Sequence, residues 1–573
     1  MRGFLGERID ACVAKRIFAQ DPDLLVAPFR QRAERSCWQT EFWGKWALSA
    51  AAAWEYTGNA ESRARLLASA RDLLATQSPN GYIGNYAEDS HLAGWDIWGR
   101  KYTLLGLLRL FDMSGDRSLL DGAKRLTAHL QTEVGSGKAD IVTQGLYRGM
   151  AASSILEPMV LLFRHTGDQA HIQFAEYIVG RWSSERGPQL IEKALAGVPV
   201  AQRFPRPKRW FSWENGGKAY EMMSCYVGLL ELFRETGRAP YLEAALRAHQ
   251  NIHETEINLA GSGSAEECWY GGRALQTTPA HNSMETCVTM TWMQFGAQLL
   301  RLTGDPCFAD DIEASVYNAL AGAMTPDGSS FGQYSGLEGQ REPGVSQCGM
   351  QLNCCQANGP RGLMLLPAVA VMHSGEGPWV NLYEQGEYPL VLPSGQPATL
   401  SMVTTYPFSG AVSLRVHLKA PERFTLRLRI PQWSAQTALT VNGSVVQGVK
   451  PGSYAAVDRR WNSGDGLELK MDFRMRLIRS PGNGTARFVA VQRGPLTLAR
   501  DLRLGQSGID NAVSLTSAGD GTLPAKVLPL IDGIGMNFAV PESRAGEIRL
   551  CAYASAGNSW KADSRFRVWM PEA

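Results

Sequence analysis

The hydrophobic pattern divides the chain into two unlike parts. Over the first two thirds, apolar residues recur at helical spacing, as in Tyr102–Leu110 and Val227–Phe233, and the stretches end on a Thr/Ser-Gly stop. The stops read Trp54-Glu-Tyr-Thr-Gly-Asn, Leu110-Phe-Asp-Met-Ser-Gly-Asp, Leu162-Phe-Arg-His-Thr-Gly-Asp, Leu232-Phe-Arg-Glu-Thr-Gly-Arg and Leu300-Arg-Leu-Thr-Gly-Asp. Their glycines, Gly58, Gly115, Gly167, Gly237 and Gly304, stand 57, 52, 70 and 67 residues apart, room for about two helices and their loops per step. Glycine just past a helix supplies the left-handed C′ position, and an Asp after it caps the next helix. Repeated helix pairs predict either an α-solenoid or a closed α/α toroid. Solenoid repeats usually run to roughly 33–47 residues. The longer steps here favour a toroid of about six helical hairpins, its loops gathered at one end around a concave site.

Near residue 375 the pattern changes. Thr425-Leu-Arg-Leu-Arg-Ile alternates with period two, as a half-buried strand does, and Leu439-Thr-Val-Asn-Gly, Leu467-Glu-Leu-Lys-Met and Phe488-Val-Ala-Val-Gln read the same way. The expected organisation is a helical catalytic domain over 1–375, a β-sandwich domain over 376–480 and a C-terminal β-sandwich domain over 481–573, the last two meeting near Pro481. Structural support is the favoured role for the sheets, glycan binding the alternative.

Composition narrows the class. Lys+Arg 57 against Asp+Glu 55 leaves a formal charge of +2, so neither a nucleic-acid-binding excess nor an acidic tail is present. No apolar run reaches the roughly 18 residues that span a bilayer, so no membrane partner is expected. The start, Met1-Arg-Gly-Phe-Leu-Gly-Glu-Arg, puts charges where an export signal needs apolar residues, which predicts a soluble, cytoplasmic protein; a trimmed signal would make it periplasmic or secreted. A homodimer is one option for assembly. Six of the ten cysteines, Cys12, Cys37, Cys225, Cys307, Cys348 and Cys551, are scattered singly and read as small buried hydrophobes.

The candidate chemistry sits in three short segments: Ser262-Gly-Ser-Ala-Glu-Glu-Cys-Trp-Tyr-Gly-Gly, Asn282-Ser-Met-Glu-Thr-Cys and Asn353-Cys-Cys-Gln-Ala-Asn-Gly-Pro-Arg-Gly. Cys354 and Cys355 are adjacent, which leaves a vicinal disulfide or two buried thiols as readings of that pair alone. Glu285 and Cys287, two apart, face the same way if the chain is extended there, ahead of a helix expected over 288–302. Together Glu285, Cys287, Cys354 and Cys355 offer three soft sulfurs and one carboxylate, a donor set for tetrahedral Zn²⁺. Zinc deprotonates the thiols it binds, and a thiolate is a nucleophile. Retaining glycosidases set two carboxylates across the scissile bond. Here a cysteine thiolate would replace one, with Glu266 or Glu267 as the acid/base. Trp269, Tyr270 and Tyr334 either line a sugar pocket or pack.

At these residues the chain resembles glycoside hydrolase family 127, whose members include β-L-arabinofuranosidases with a cysteine nucleophile held on zinc. The resemblance spans nearly the whole chain and includes Gly44-Lys-Trp, Asn80-Gly-Tyr-Ile-Gly-Asn-Tyr, the Thr-Gly-Asp stops, Glu285-Thr-Cys, Tyr317-Asn-Ala-Leu and Asn353-Cys-Cys-Gln-Ala-Asn-Gly. It implies an (α/α)6 barrel followed by β-sandwich domains and an oligosaccharide or other glycoside as substrate. Glu285, Cys287, Cys354 and Cys355 are then the zinc ligands, Cys354 the nucleophile and Glu267 the acid/base, with Glu266 as the fallback. The implied activity is an exo-acting, retaining cleavage of a terminal L-arabinofuranoside or a modified relative. Family members also place histidines on three barrel helices to hold furanose hydroxyls. None of the nine histidines here falls at those positions, where the sequence reads Trp98-Gly-Arg-Lys-Tyr, Ala152-Ser-Ser-Ile-Leu-Glu and Gly217-Lys-Ala-Tyr-Glu. Arg100, Lys101 or Lys218 would then read an acidic or differently substituted sugar, or be ordinary barrel charges. Two other classes stay open: a zinc-stabilised carbohydrate-binding protein without catalysis, and another α/α-barrel enzyme such as a lyase or epimerase.

Overall fold

The computed structural model describes residues 1–480, 487–506 and 508–573. Twelve of the helices in the first part form the two layers of the barrel: α1 Gly3–Cys12, α2 Glu41–Thr57, α3 Ala60–Ala75, α4 Asp96–Ser114, α5 Arg117–Glu133, α6 Leu156–Thr166, α7 Gln169–Trp182, α8 Ala219–Thr236, α9 Ala239–Thr255, α10 Thr286–Thr303, α11 Pro306–Ala314 and α12 Cys354–Ala370. The even-numbered helices form an inner ring in which α2 packs on α4, α4 on α6, α6 on α8, α8 on α10, α10 on α12 and α12 back on α2. The odd-numbered helices lie outside. The ring is closed, as a toroid requires and a solenoid does not.

Burial explains which helices go where. α4 is buried almost all round from Asp96 to Leu110, as an inner helix must be, whereas α5 buries one face only. Close approach needs small residues: a Cβ on Gly44 would run into the Tyr102 carbonyl of the neighbouring helix. The five predicted stops are the helix ends of the inner ring. Gly58, Gly115, Gly167, Gly237 and Gly304 all adopt the left-handed C-cap conformation, and Asn59, Asp116, Asp168 and Asp305 cap the helices that follow.

Three sheets follow. A four-stranded sheet has the order Ser453–Trp461, Glu422–Ile430, Gly377–Val380, Val371–Ser374, and a six-stranded sheet runs from Gly386–Val391 to Ser444–Val445. The predicted strand over 425–430 pairs antiparallel with Ser453–Trp461, Leu428 opposite Ala455. The first strand, Val371–Ser374, begins ahead of the expected limit at 376. The third sheet takes in Met475–Arg479, which pairs with Phe488–Arg493, so it too begins ahead of the expected limit; the junction at Pro481 lies outside the described residues.

The sheets buttress the barrel. Arg429, fully buried, pairs with Asp310 and Glu313 of α11, and Trp433 donates to Glu313 at 2.9 Å. The third sheet holds the loop after α11: Tyr553 donates to the Ser335 carbonyl at 2.7 Å, and Arg341 to the carbonyls of Ala556 at 2.7 Å and Tyr553 at 2.8 Å. Of the six single cysteines, Cys12, Cys225 and Cys551 are buried as expected; Cys37 and Cys348 are half-buried, and Cys307 is exposed on the first turn of α11.

Candidate active site

All inner helices begin at the same end of the barrel, and the cysteine segments lie there. Glu285 caps α10 and Cys287 is in its first turn; Cys354 and Cys355 open α12. The helix begins at Thr286, so only Glu285 keeps the extended backbone expected for both residues. Asn353 fixes the start of α12: its side chain accepts from Gln356 N at 2.8 Å and Gln356 returns the bond to Asn353 N at 3.1 Å.

One ligand atom from each of Glu285, Cys287, Cys354 and Cys355 lies within 4.8 Å of all the others. Cys287 Sγ is 3.4 Å from Cys355 Sγ and Cys354 Sγ 3.8 Å from Cys355 Sγ; Glu285 Oε1 is 3.8 Å from Cys354 Sγ and 3.7 Å from Cys355 Sγ. These separations rule out a disulfide. They match the edges of a tetrahedron with Zn–S bonds of about 2.3 Å, whose S···S edge is about 3.8 Å. Glu285 Oε2 is buried and finds no hydrogen-bond partner among the described residues. The donor set therefore fits a zinc ion.

The thiols are not equivalent. Burial pushes Glu285, Cys287 and Cys355 well above their ordinary values. Cys354 is held well below the usual thiol range by hydrogen bonds from Cys287 and Cys355, helped by the charges of Lys45 and Lys218. Its place on the first residue of α12 adds the partial positive charge of a helix N-terminus.

Turn geometry separates the two glutamates. Ala265 and Cys268 exchange backbone hydrogen bonds at 3.0 and 2.9 Å around Glu266 (φ 46°) and Glu267 (φ 63°), a two-residue turn of type I′. Non-glycine residues occupy both left-handed positions, which localises backbone strain here. The turn is pinned by Glu266 N to Asn282 O at 3.1 Å and Ala219 N to Glu267 O at 3.0 Å. Glu266 points to solvent, while Glu267 is buried between Lys218 Nζ, 2.9 Å from Oε2, and Tyr334 OH, which donates to Oε1 at 2.9 Å.

The other expected residues scatter. Lys218 bridges Glu267 and Glu221 (3.1 Å); burial works against its charge, but the two carboxylates hold its pKa well above the usual lysine range. Lys101 is buried against the rings of Trp98 and Tyr102, at 4.5 and 4.9 Å, and its charge acts on Glu157. Arg100 is buried in ion pairs with Asp96 of the inner helix α4 and Glu133 of the outer helix α5, at 2.5 Å each. Its guanidinium also fills a second cluster of metal-binding residue types, His91, His129 and Glu133. Trp269 is core, its backbone N bonded to Gly217 O at 2.9 Å. Tyr270 and Tyr334 border a polar cavity of about 490 Å³ behind the site.

Sequence reading missed several groups. Glu41 and Lys45 form a buried ion pair (2.8 Å) on α2, and Trp98 Nε1 donates to Glu41. Tyr147 OH, Ser153 Oγ and Glu221 Oε2 are buried without hydrogen-bond partners among the described residues, and the Tyr147 ring lies 4.8 Å from Lys218 Nζ. The available signal was charge inside otherwise apolar inner helices: Glu41 and Lys45 at i, i+4, Lys218 and Glu221 at i, i+3.

Known proteins resemble this chain in sequence and fold. The GH127 catalytic domain of β-L-arabinofuranosidases matches residues 12–367, and the GH127 middle domain matches 378–473. A non-reducing end β-L-arabinofuranosidase of Bifidobacterium longum subsp. longum is 23% identical over 90% of this chain and 86% of its own length. Among solved structures, a GH127 β-arabinofuranosidase superposes with a TM-score of 0.81 at 19% identity, covering 100% of this chain and 96% of that one. A GH127 β-L-arabinofuranosidase from Geobacillus stearothermophilus T6 gives 0.79 at 20% identity, covering 100% and 99%. With its barrel and its first sheets both matched, the chain belongs to the GH127 β-L-arabinofuranosidase family and is a glycoside hydrolase.

Proposed function

We propose that the protein is an exo-acting, retaining β-L-arabinofuranosidase in which Cys354 is the nucleophile and Glu267 the acid/base. The observation that carries this reading is the convergence of Cys354, the one thiol of the cluster held toward its ionised form, with a buried glutamate fixed by Lys218 and Tyr334. Cys354 Sγ attacks the anomeric carbon as the bond to the leaving oxygen breaks, and Glu267 delivers the proton to that oxygen. Water then attacks the same carbon, Glu267 takes its proton, and the C–S bond breaks to return the thiolate. Glu285, Cys287, Cys354 and Cys355 would hold zinc, whose chemistry is to keep the thiolates ionised and in place. Tyr334 and Lys218 orient Glu267.

The sugar bound is read as neutral. Lys45 is matched by Glu41, Lys218 by Glu221 and Glu267, and Arg100 by Asp96 and Glu133; Lys101, set on the Trp98 and Tyr102 rings, has no ion pair among the described residues, so a single cation, not a cluster, is left for a carboxylate-bearing sugar. The unpartnered Tyr147 OH, Ser153 Oγ and Glu221 Oε2 are hydrogen-bonding groups suited to sugar hydroxyls, in place of the absent histidines.

Incubation with an L-arabinofuranose-configured cyclic epoxide, followed by peptide mass spectrometry, tests the mechanism. A single adduct on Cys354 is expected. An adduct on a glutamate, or none at all, overturns it. A parallel screen of furanosides with and without a carboxylate should favour the neutral arabinoside.

A further inference from the structure

Among the described residues Trp210 is the most exposed tryptophan, 38% accessible, and the adjacent Phe211 is 39% accessible. Exposed aromatics side by side are a cost that a soluble protein ordinarily avoids unless they serve a contact. These two are not on a frayed loop. Asn215 donates to the Trp210 carbonyl at 2.6 Å and reaches Cys268 Sγ at 3.2 Å; Tyr147 N and Arg148 N donate to the carbonyls of Ser212 and Trp213 at 3.2 and 2.6 Å. Arg206 reaches the Trp269 carbonyl at 3.5 Å. The segment is thus fastened to Tyr147–Arg148 and to Cys268–Trp269, at the end of the turn that carries Glu267.

The rings continue inward. Phe211 packs on Trp38, Trp95 and Tyr147 with centroid separations of 5.9, 5.7 and 6.0 Å, and edge-on to Trp210 at 5.4 Å. Trp38 Nε1 donates to Gln347 Oε1 at 3.2 Å, and the same oxygen accepts from Cys354 N at 3.0 Å. Trp95 and Tyr147 lie 5.9 and 4.8 Å from Lys218 Nζ, which holds Glu267. The aromatic group therefore touches both halves of the site, the thiolate side through Gln347 and the glutamate side through Lys218. Its inner rings are buried and its outer pair faces water.

We propose that Trp210 and Phe211, backed by Trp38, Trp95 and Tyr147, form the platform on which the sugar on the leaving-group side of the scissile bond rests. This rests on the exo-glycosidase reading above. That reading sets the terminal sugar against Tyr147 OH, Ser153 Oγ and Glu221 Oε2, and Tyr147 packs on Phe211, so the next sugar emerges along the exposed Trp210–Phe211 pair. A sugar ring offers an apolar C–H face that an aromatic ring covers, with its hydroxyls left to water. The pair selects a glycosylated partner over a small alkyl leaving group.

The test is binding of two uncleaved ligands to the zinc-loaded protein by titration calorimetry: methyl 1-thio-β-L-arabinofuranoside, which ends at the sulfur in the scissile position, and a sulfur-linked disaccharide with the same terminal sugar. The disaccharide should bind about tenfold more tightly, and Trp210→Ala or Phe211→Ala should remove that advantage while leaving the methyl glycoside unchanged. Both positions are half-exposed, so the fold survives, and circular dichroism checks it. Equal binding of the two ligands by the parent protein, or an advantage that survives both substitutions, overturns the platform. Failure of the parent protein to bind either ligand overturns the choice of terminal sugar and the platform with it.

Discussion

The two ends of the barrel contrast. A cavity of about 720 Å³ lies toward the C-terminal ends of α2, α10 and α12, lined by Leu48, Met290, Leu300, Met364 and Leu365, with the Arg361 guanidinium held by Asn358 at 2.7 Å. At the opposite end, tightly packed Glu41, Lys45, Lys218, Glu221, Glu267 and Glu285 are all nearly inaccessible. The apolar room is at one end; the chemistry is at the other, beside the polar cavity that Tyr270 and Tyr334 border. Burying a charge is expensive unless it is paired or put to use, and the dense end holds the left-handed Glu266–Glu267 turn, the clustered thiols and the unpartnered Tyr147 OH, Ser153 Oγ and Glu221 Oε2.

Substitutions can break that contrast. The largest effect is expected from Cys354→Ser, which should lower kcat at least about a thousandfold while circular dichroism stays near that of the parent. Retained activity would move the nucleophile elsewhere. Glu267→Gln should cost about 10²–10⁴ in kcat on an alkyl glycoside. The loss should be much smaller on a glycosyl fluoride, whose leaving group needs no proton, and Glu266→Gln should stay within about twofold. Equal sensitivity of the two glutamates would contradict the turn geometry.

Smaller effects probe the other end and the seam. Ala297→Leu, which projects into the far cavity, should leave kcat/KM within about twofold and stability within about 1 kcal/mol. A tenfold loss of activity would show that the apolar end communicates with the site. Glu384 lies where the barrel meets the sheets, accepting from Tyr317 OH at 2.9 Å and Leu5 N at 3.3 Å, and burial pushes its carboxyl from 4.5 up to about 8. Between those values the folded chain holds a proton that the unfolded chain has lost, so this group's stabilisation is present below about pH 4.5 and fades as pH rises to 8. Urea unfolding at pH 5 and pH 8 should show that slope in the parent protein and a flatter one in Glu384→Gln, with kcat unchanged.

Much of this was legible in one dimension, because some signals are local. Each helix stop is written within a few residues, Gly304 followed by Asp305 for example, and the structure uses both, one as C-cap and one as N-cap. Alternation in Thr425–Ile430 likewise became a strand in register with Ser453–Trp461. The candidate metal cluster was readable because Cys354 and Cys355 are neighbours and Glu285 and Cys287 nearly so, leaving only one long-range contact to infer.

The tertiary structure decided which way side chains face. Arg100 and Lys101 are adjacent, yet helix phase sends Arg100 outward to Glu133 and leaves Lys101 beside Trp98 and Tyr102. Glu266 and Glu267 are chemically identical, and only a turn with both residues at positive φ, which a Glu-Glu pair does not announce, turns one to water and the other to Lys218. Glu221, Tyr147 and the Trp38–Phe211 aromatic group belong to the site because distant segments close the ring. The sequence by itself determined the helical barrel, the strands and the thiol–carboxylate donor set, since short-range periodicity and adjacency encode them. The facing of each charge and the composition of the sugar pocket depend on helix phase and ring closure, which no short stretch of sequence contains.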